Sequence, residues 1–337
     1  MNEKTGTIFT PKVMNIELTT KCPLHCPQCY CSLTGGKNID PDVAVYWLQE
    51  AGKHGVKYVM LSGGETLCYP YLFDIIKAAK IHCGYPNVAL SGVGFTQNVL
   101  DRMIEAGVHE ICISLNGSKR QINELTRDGY DFAIQALELL ERNGFNRTTI
   151  NWVMHSNNSD DFENILDIAE RYKVSSIDVI GLKPDANNQM LTIPSNKQIH
   201  HMREIIRKYN GGVKISIETC YSPMLAYACD TALFGNLNNG PGIGCMAGRN
   251  AFSVNVDGKL SPCRHLEFFE DCKTLEEYWC GSEVLKAIRK MEDNKKEPCS
   301  TCYLSEHCRP CLAISLAATN EFCIGNKYCS LWNKEKL

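Results

Sequence analysis

The placement of cysteine constrains this chain more than any other feature. Cysteine occupies 19 of its 337 positions, several times ordinary usage but below the roughly 8–10% of a disulfide scaffold. Cys22, Cys26, Cys29 and Cys31 form a tight group near the start. A larger group runs through Cys245, Cys263, Cys272, Cys280, Cys299, Cys302, Cys308, Cys311, Cys323 and Cys329. Cys68, Cys83, Cys112, Cys220 and Cys229 lie between, spaced like ordinary residues. A chain of this length can bury a full core without disulfides. The N-terminal stretch has no apolar segment of signal-peptide type, and no run of 18 apolar residues offers a membrane span. The formal charge is −3 and no basic stripe is present, which argues against nucleic acid. These features predict a cytoplasmic chain whose thiols stay reduced, and metal is the leading reason for so many of them.

The first 210 residues alternate between strand and helix patterns. Strands are predicted at 13–19, 56–61, 87–92, 108–115, 148–155 and 175–182, apolar along their length. Helices are predicted at 41–54, 70–82, 97–106, 129–143, 160–172 and 195–209. Six strand–helix units imply an α/β fold with a parallel sheet, open or closed into a barrel. Ligands of such sheets sit at the C-terminal strand ends. The first cysteine group, the turn SGGET (62–66) and the turn LNG (115–117) each follow a strand directly, so one rim should carry all three. Beyond 215 the periodicity fades. A hairpin turning at Asp257-Gly258 is predicted within 251–262 and a helix over 274–292; the rest is cysteine loops expected to need metal to fold. Cys112 (in HEICISL) and Cys83 read as small buried hydrophobes.

Cys22-x3-Cys26-x2-Cys29 puts three thiolates on one loop. Structural zinc sites usually pair two close cysteines with two distant ligands; three close thiolates suit an iron–sulfur cube with one iron open. Cys31 is expected to point away. A strand, this spacing, and a second strand ending in Gly63-Gly64-Glu65 together resemble the radical S-adenosylmethionine (radical SAM) superfamily. The resemblance implies a partial (β/α)6 TIM-like barrel, with a 4Fe–4S cluster on Cys22, Cys26 and Cys29. SAM would bind the open iron and be cleaved reductively to a 5′-deoxyadenosyl radical. It further implies cofactor contacts from Gly63, Gly64 and Glu65 to the methionine amino group, from Ser114 to the ribose, and from Arg127 to the SAM carboxylate. Asn116 stands where relatives often carry Asp, and Tyr30 would pack near adenine.

The late cysteines read Cys245-x12-Gly258-x4-Cys263, then Cys299-x2-Cys302-x5-Cys308-x2-Cys311, then Cys323 and Cys329. This resembles the SPASM extension of radical SAM enzymes, except that the last quartet spacing is x2 rather than x3. The resemblance implies two auxiliary 4Fe–4S clusters, three clusters in all. One takes Cys245, Cys263 and Cys311, with Cys229, Cys272 or an open iron completing it. The other takes Cys299, Cys302, Cys308 and Cys329, with Cys323 competing for the last place. Structural zinc is the rival reading of this segment. The implied organisation is a radical SAM barrel over 1–215, a bridge over 216–244 and SPASM over 245–337.

SPASM-bearing relatives mostly act on peptides, so the resemblance implies maturation of a ribosomally made precursor peptide (a RiPP). An oxidative thioether or carbon–carbon cross-link is favoured, because auxiliary clusters can accept electrons. Backbone excision and Cα epimerisation are alternatives. For epimerisation Cys220 and Cys229 are the hydrogen-donor candidates. Implied partners are an electron donor such as flavodoxin or ferredoxin and a separate leader-binding protein, since the 21 residues before Cys22 leave no room for a recognition domain. A non-catalytic iron–sulfur carrier or scaffold is the alternative of another class.

Overall fold

The structure is a computed structural model, described for residues 10–31, 36–183, 192–218, 244–291, 295–297, 299–302, 305 and 308–319. The cysteines at 220, 229, 323 and 329 lie outside the described residues.

Six parallel strands form in the predicted order: β1 (Val13–Thr19), β2 (Tyr58–Gly63), β3 (Tyr85–Leu90), β4 (Glu110–Ser114), β5 (Thr148–Met154) and β6 (Ser176–Gly181). The connecting helices are α1 (Pro41–Lys53), α2 (Leu72–His82), α3 (Gln97–Ala106), the one-turn α4 (Arg120–Asn123), α5 (Tyr130–Arg142), α6 (Phe162–Arg171) and, after β6, α7 (Asn196–Lys208). Local chemistry sets their starts. Asp40 accepts from the amides of Asp42 and Val43 to cap α1, with Pro41 in its first turn. Ser195 and Gln198 form a reciprocal capping box on α7.

The structure corrects the sequence reading in three places. The strands are not apolar along their length; they alternate. Met14, Ile16 and Leu18 of β1, Ile111 and Ile113 of β4, and Ile150, Trp152 and Met154 of β5 are buried on the helix-covered face, each worth about 1.5–3 kcal/mol. The opposite face is a hydrogen-bonded polar interior. Asn87 donates to Glu110 at 2.8 Å, Thr149 donates to the same carboxylate, and Thr149 meets the Ser176 hydroxyl at 2.6 Å. Burial in this interior, then the neighbouring Glu110, pushes Asp178 up to about 6.

Second, the sheet is larger than six strands. β7 (Lys214–Ile217) extends it beyond β6, and β8 (Ala251–Val254) pairs parallel with β1, Val13 against Ala251 through Ile16 against Val254. β9 (Leu260–Ser261) returns antiparallel to β8, so the predicted hairpin forms but joins the main sheet. Third, the helix predicted over 274–292 divides into a π-helical turn (Glu277–Gly281) and α8 (Glu283–Lys290). The last helix among the described residues is α9 (Leu312–Thr319).

Helix α1 holds the hairpin. The Trp47 indole donates to the Gly258 carbonyl at 2.9 Å, Tyr46 donates to the Lys273 carbonyl, and buried Glu50 accepts from the Leu275 amide at 3.2 Å while pairing with Lys53 at 2.8 Å. Burial alone would raise the Glu50 carboxyl, but the Lys53 ammonium and the Leu275 amide together hold it below its ordinary value. A lowered folded value means stability that is present above the unfolded pKa and lost as pH falls through the folded one. Glu50→Ala should therefore cost about 1–3 kcal/mol at neutral pH. The gap between variant and wild type should close in acid, as followed by urea denaturation across pH.

Candidate active site

The cysteine loop leaves β1 at Thr19 and is fastened to the end of β2. The Gly64 amide donates to the Thr19 carbonyl at 2.7 Å and the Glu65 amide to the Lys21 carbonyl at 2.8 Å. Gly63 has φ +143°, and a Cβ on Gly63 or Gly64 would overlap the carbonyls of Thr19 and Lys21 respectively. Both glycines are therefore required by the approach of the loop's own backbone. The Cys31 thiol donates to the Gly63 carbonyl at 3.2 Å.

A second tether comes from residues 116–128. Gln28 donates its amide to the Thr126 carbonyl at 3.1 Å, and His25 donates its amide to Asp128 at 2.8 Å. Asn116, fully buried, donates through Nδ2 to Gln28 at 2.6 Å and to Thr126 at 2.9 Å, and accepts from the Val153 amide at 3.1 Å. Its own amide donates to Asn123 at 2.8 Å. Asn116 is thus a buried hub, not a residue of the cavity wall.

The tethered loop forms one wall of a cavity of about 1050 Å³, its open mouth included. Cys22, Cys26, Cys29, Tyr30, Gly63, Gly64, Ser114 and Arg127 all line it. Glu65 does not. It is 1% exposed, accepts from the Ser91 amide at 2.8 Å and the Ser91 hydroxyl, and caps the turn after β2 through the Leu67 amide at 3.1 Å. Ser91, which Glu65 orients, does line the cavity. Burial raises the Glu65 carboxyl, opposed by the Ser91 bonds and Arg127.

Burial pushes the Cys22 thiol up to about 11 and raises that of Cys26, against the pull of the Arg127 guanidinium. Metal binding would have to displace those protons, so it should be pH-dependent. The Arg127 Nε is buried with no hydrogen-bond partner among the described residues. Cys31, expected to point away, also lines the cavity, so four thiols share this wall; with an unsatisfied guanidinium nitrogen beside them, they fit a thiolate-held iron–sulfur cluster and a ligand with a carboxylate.

Sequence reasoning missed the remaining walls. Asn151, midway along β5, and Lys183, just past β6, line the cavity, and so do Arg264 and His265 from the segment after β9. The Lys183 ammonium bonds to the Gly181 carbonyl at 2.9 Å and to Glu218. The Tyr30 ring packs on His265 with centroids 4.4 Å apart, and the Arg264 guanidinium lies 5.0 Å from the same ring. The position of Lys183 after a predicted strand was the one available signal; nothing in the pattern pointed to Arg264 or His265.

The late cysteines gather separately. Cys245 and Cys263 share a small apolar cluster with Leu266, Phe268, Ile288 and Leu312. The Cys245 amide donates to the Arg309 carbonyl at 3.2 Å, which brings the first late cysteine to the Cys308–Cys311 segment. The His265 amide donates to the Cys263 sulfur at 3.5 Å. Cys299 and Cys302 share a turn, Cys302 N to Cys299 O at 3.3 Å, and Lys295 donates to the Cys308 carbonyl at 3.0 Å. Cys272 instead packs against the main core. Among the described residues, no three His, Cys, Asp or Glu side chains are placed to hold a single metal ion, and no helix is long and apolar enough to cross a membrane.

Comparison with known proteins agrees with this anatomy. The radical SAM superfamily matches residues 16–169, and the SPASM iron–sulfur cluster-binding domain matches residues 245–303. The PqqA peptide cyclase of Ruegeria pomeroyi is 28% identical, over 92% of this chain and 82% of that protein. The AdoMet-dependent heme synthase of Methanosarcina barkeri is 21% identical, over 95% of this chain and 96% of that protein. Among solved structures, Streptococcus suis SuiB bound to the precursor peptide SuiA superposes with a TM-score of 0.79 at 16% identity, covering 97% of this chain and 78% of SuiB. The chain thus carries a radical SAM domain followed by a SPASM iron–sulfur cluster-binding domain.

Proposed function

We propose that the protein is a radical SAM maturase that introduces an oxidative cross-link, thioether or carbon–carbon, into a ribosomally made precursor peptide. One observation carries this reading: the cavity that holds the three SAM-cluster thiols is closed by Arg264 and His265, which directly follow Cys263 of the SPASM motif. A substrate there lies against both the radical source and the auxiliary-cluster segment. Relatives named PqqA peptide cyclase, at 28% and 27% identity, support a peptide substrate.

Cys22, Cys26 and Cys29 would hold the SAM cluster. Cys245, Cys263 and Cys311 would hold one auxiliary cluster, and Cys299, Cys302, Cys308 and Cys329 the other. When bound, SAM and the reduced cluster supply a 5′-deoxyadenosyl radical that abstracts hydrogen from the peptide. The chain's own residues do the positioning. Arg127, whose Nε has no hydrogen-bond partner among the described residues, would hold the SAM carboxylate. Gly63 and Gly64 keep the thiol loop against the β2 end, Glu65 fixes Ser91 in the wall, and Asn116 fixes Gln28. Ser114 and Tyr30 face the cavity where ribose and adenine would lie. A cross-link removes two hydrogens from the peptide and leaves an electron to be accepted, which the auxiliary clusters would take. We infer a cytoplasmic enzyme served by a flavodoxin- or ferredoxin-type donor and a separate leader-binding protein.

The reconstituted protein, reduced with dithionite, should release 5′-deoxyadenosine from SAM. No release with clusters intact would overturn the enzyme reading. Cys26→Ala should abolish release while the auxiliary clusters persist by electron paramagnetic resonance. Arg127→Gln should weaken SAM binding about 10–100-fold, the worth of one charge-assisted hydrogen bond, measured by equilibrium binding. With its precursor peptide as substrate, the product should be lighter by two hydrogens. An unchanged mass with inverted stereochemistry would establish epimerisation instead, and a larger loss would establish excision.

A further inference from the structure

Arg264 has no assigned role, yet its setting is unusual for a structural arginine. It lines the active cavity from the SPASM side. Its only hydrogen bond among the described residues runs from Nε to the His265 ring at 3.4 Å, and no carboxylate lies within salt-bridge distance. Its guanidinium lies near the Tyr30 face. Two acids are near. Glu218 is engaged by Lys183 on the same wall. Glu17, on β1, is raised above its ordinary value by burial, with Arg264 pulling it down. The guanidinium cannot shed its proton, and its terminal nitrogens make no hydrogen bond among the described residues, so a charged ligand facing them would gain from meeting them. Its terminal nitrogens form a planar fork suited to a carboxylate.

The other cavity arginine, Arg127, lies beside Cys26 and Glu65. It would be occupied by the carboxylate of SAM. Arg264 clusters instead with Tyr30, Glu17, Glu218 and Cys263. SAM carries one carboxylate, which Arg127 would take, so an anion bound by Arg264 would belong to the substrate, on the Tyr30 side of the cavity where adenine would lie. Lys183, itself paired with Glu218, adds a second cation to this wall, and Asn151 an amide able to meet a peptide group.

We propose that Arg264, with Lys183 beside it, is a carboxylate-recognition subsite that selects a peptide carrying an acidic group at or next to the reacting residue. This deepens the peptide-maturase reading and rests on it. The carboxylate comes from an Asp or Glu side chain or from a peptide C-terminus. Both present the same planar anion to the fork.

The test uses the cluster-loaded holoenzyme with SAM bound, and titration calorimetry with three probes: N-acetyl-glutamate N-methylamide, its glutamine counterpart and N-acetylglycine. The glutamate probe should bind about tenfold or more tightly than the glutamine probe, as a charge-assisted bidentate contact requires. Arg264→Gln should erase that preference, and Arg264→Lys should restore part of it. Iron content and cluster spectra verify that each variant is loaded. Preference for N-acetylglycine over the glutamate probe would assign the subsite to a C-terminal carboxylate. Equal binding of the glutamate and glutamine probes by wild type, with no preference for N-acetylglycine, would overturn the proposal, as would binding of none of the probes. Release of 5′-deoxyadenosine by the same wild-type preparation tests the radical SAM reading separately, so the two can fail independently.

Discussion

The approach of the cysteine loop to the end of β2 is the constraint on which the site depends. Two backbone hydrogen bonds, Gly64 to Thr19 and Glu65 to Lys21, bring the loop so close that no Cβ fits at either glycine. That contact fixes where the thiols begin, and it also turns Glu65 inward. Once inward, the carboxylate is buried and must find donors; it finds Ser91 and the Leu67 amide. One close approach thus aligns the ends of β1, β2 and β3. Asn116 does the same for the far side of the loop, linking β4, β5 and the segment preceding α5 to Gln28.

The C-terminal region is joined to this arrangement through the sheet itself. Pairing of β8 with β1 lies beside the strand that launches the cysteine loop. The edge of β1 is therefore covered, which removes an open row of backbone donors and acceptors. The same pairing brings the segment after β9, with Cys263, Arg264 and His265, to the cavity. The polar interior of the barrel has a related logic. Parallel strands covered by helices on one face leave the other face to line a lumen, and Asn87, Glu110, Thr149 and Ser176 satisfy one another there.

The sequence was most legible where local chemistry decides. Helix and strand periods placed twelve elements of the barrel within about two residues, and α3 at Gln97–Ala106 matches its expected bounds. The three-cysteine spacing and the Gly-Gly-Glu turn led directly to the cavity. What could not be read depends on contacts distant in sequence. Nothing local marks Ala251–Val254 as a partner of β1, some 240 residues earlier. The four-residue β7 is too short for period to show. The resemblance implied Asn116 as a cofactor contact, at a position where relatives often carry Asp, but its side-chain amide is consumed by Gln28, Thr126 and Val153, none of which is near it in pattern.

The glutamate of the Gly-Gly-Glu turn shows why position and role diverge. A carboxylate at a strand end, next to two glycines, reads naturally as a ligand for an ammonium group. In the folded chain both oxygens already accept protein hydrogen bonds, and burial disfavours its charged form. A buried anion held by neutral donors is stabilised further by any cation that enters its surroundings. Arg127 is one such cation and a ligand ammonium in the adjoining cavity would be another. Glu65 can therefore act on a bound cation through its field, and through the Ser91 wall it orients, without reaching the cavity itself.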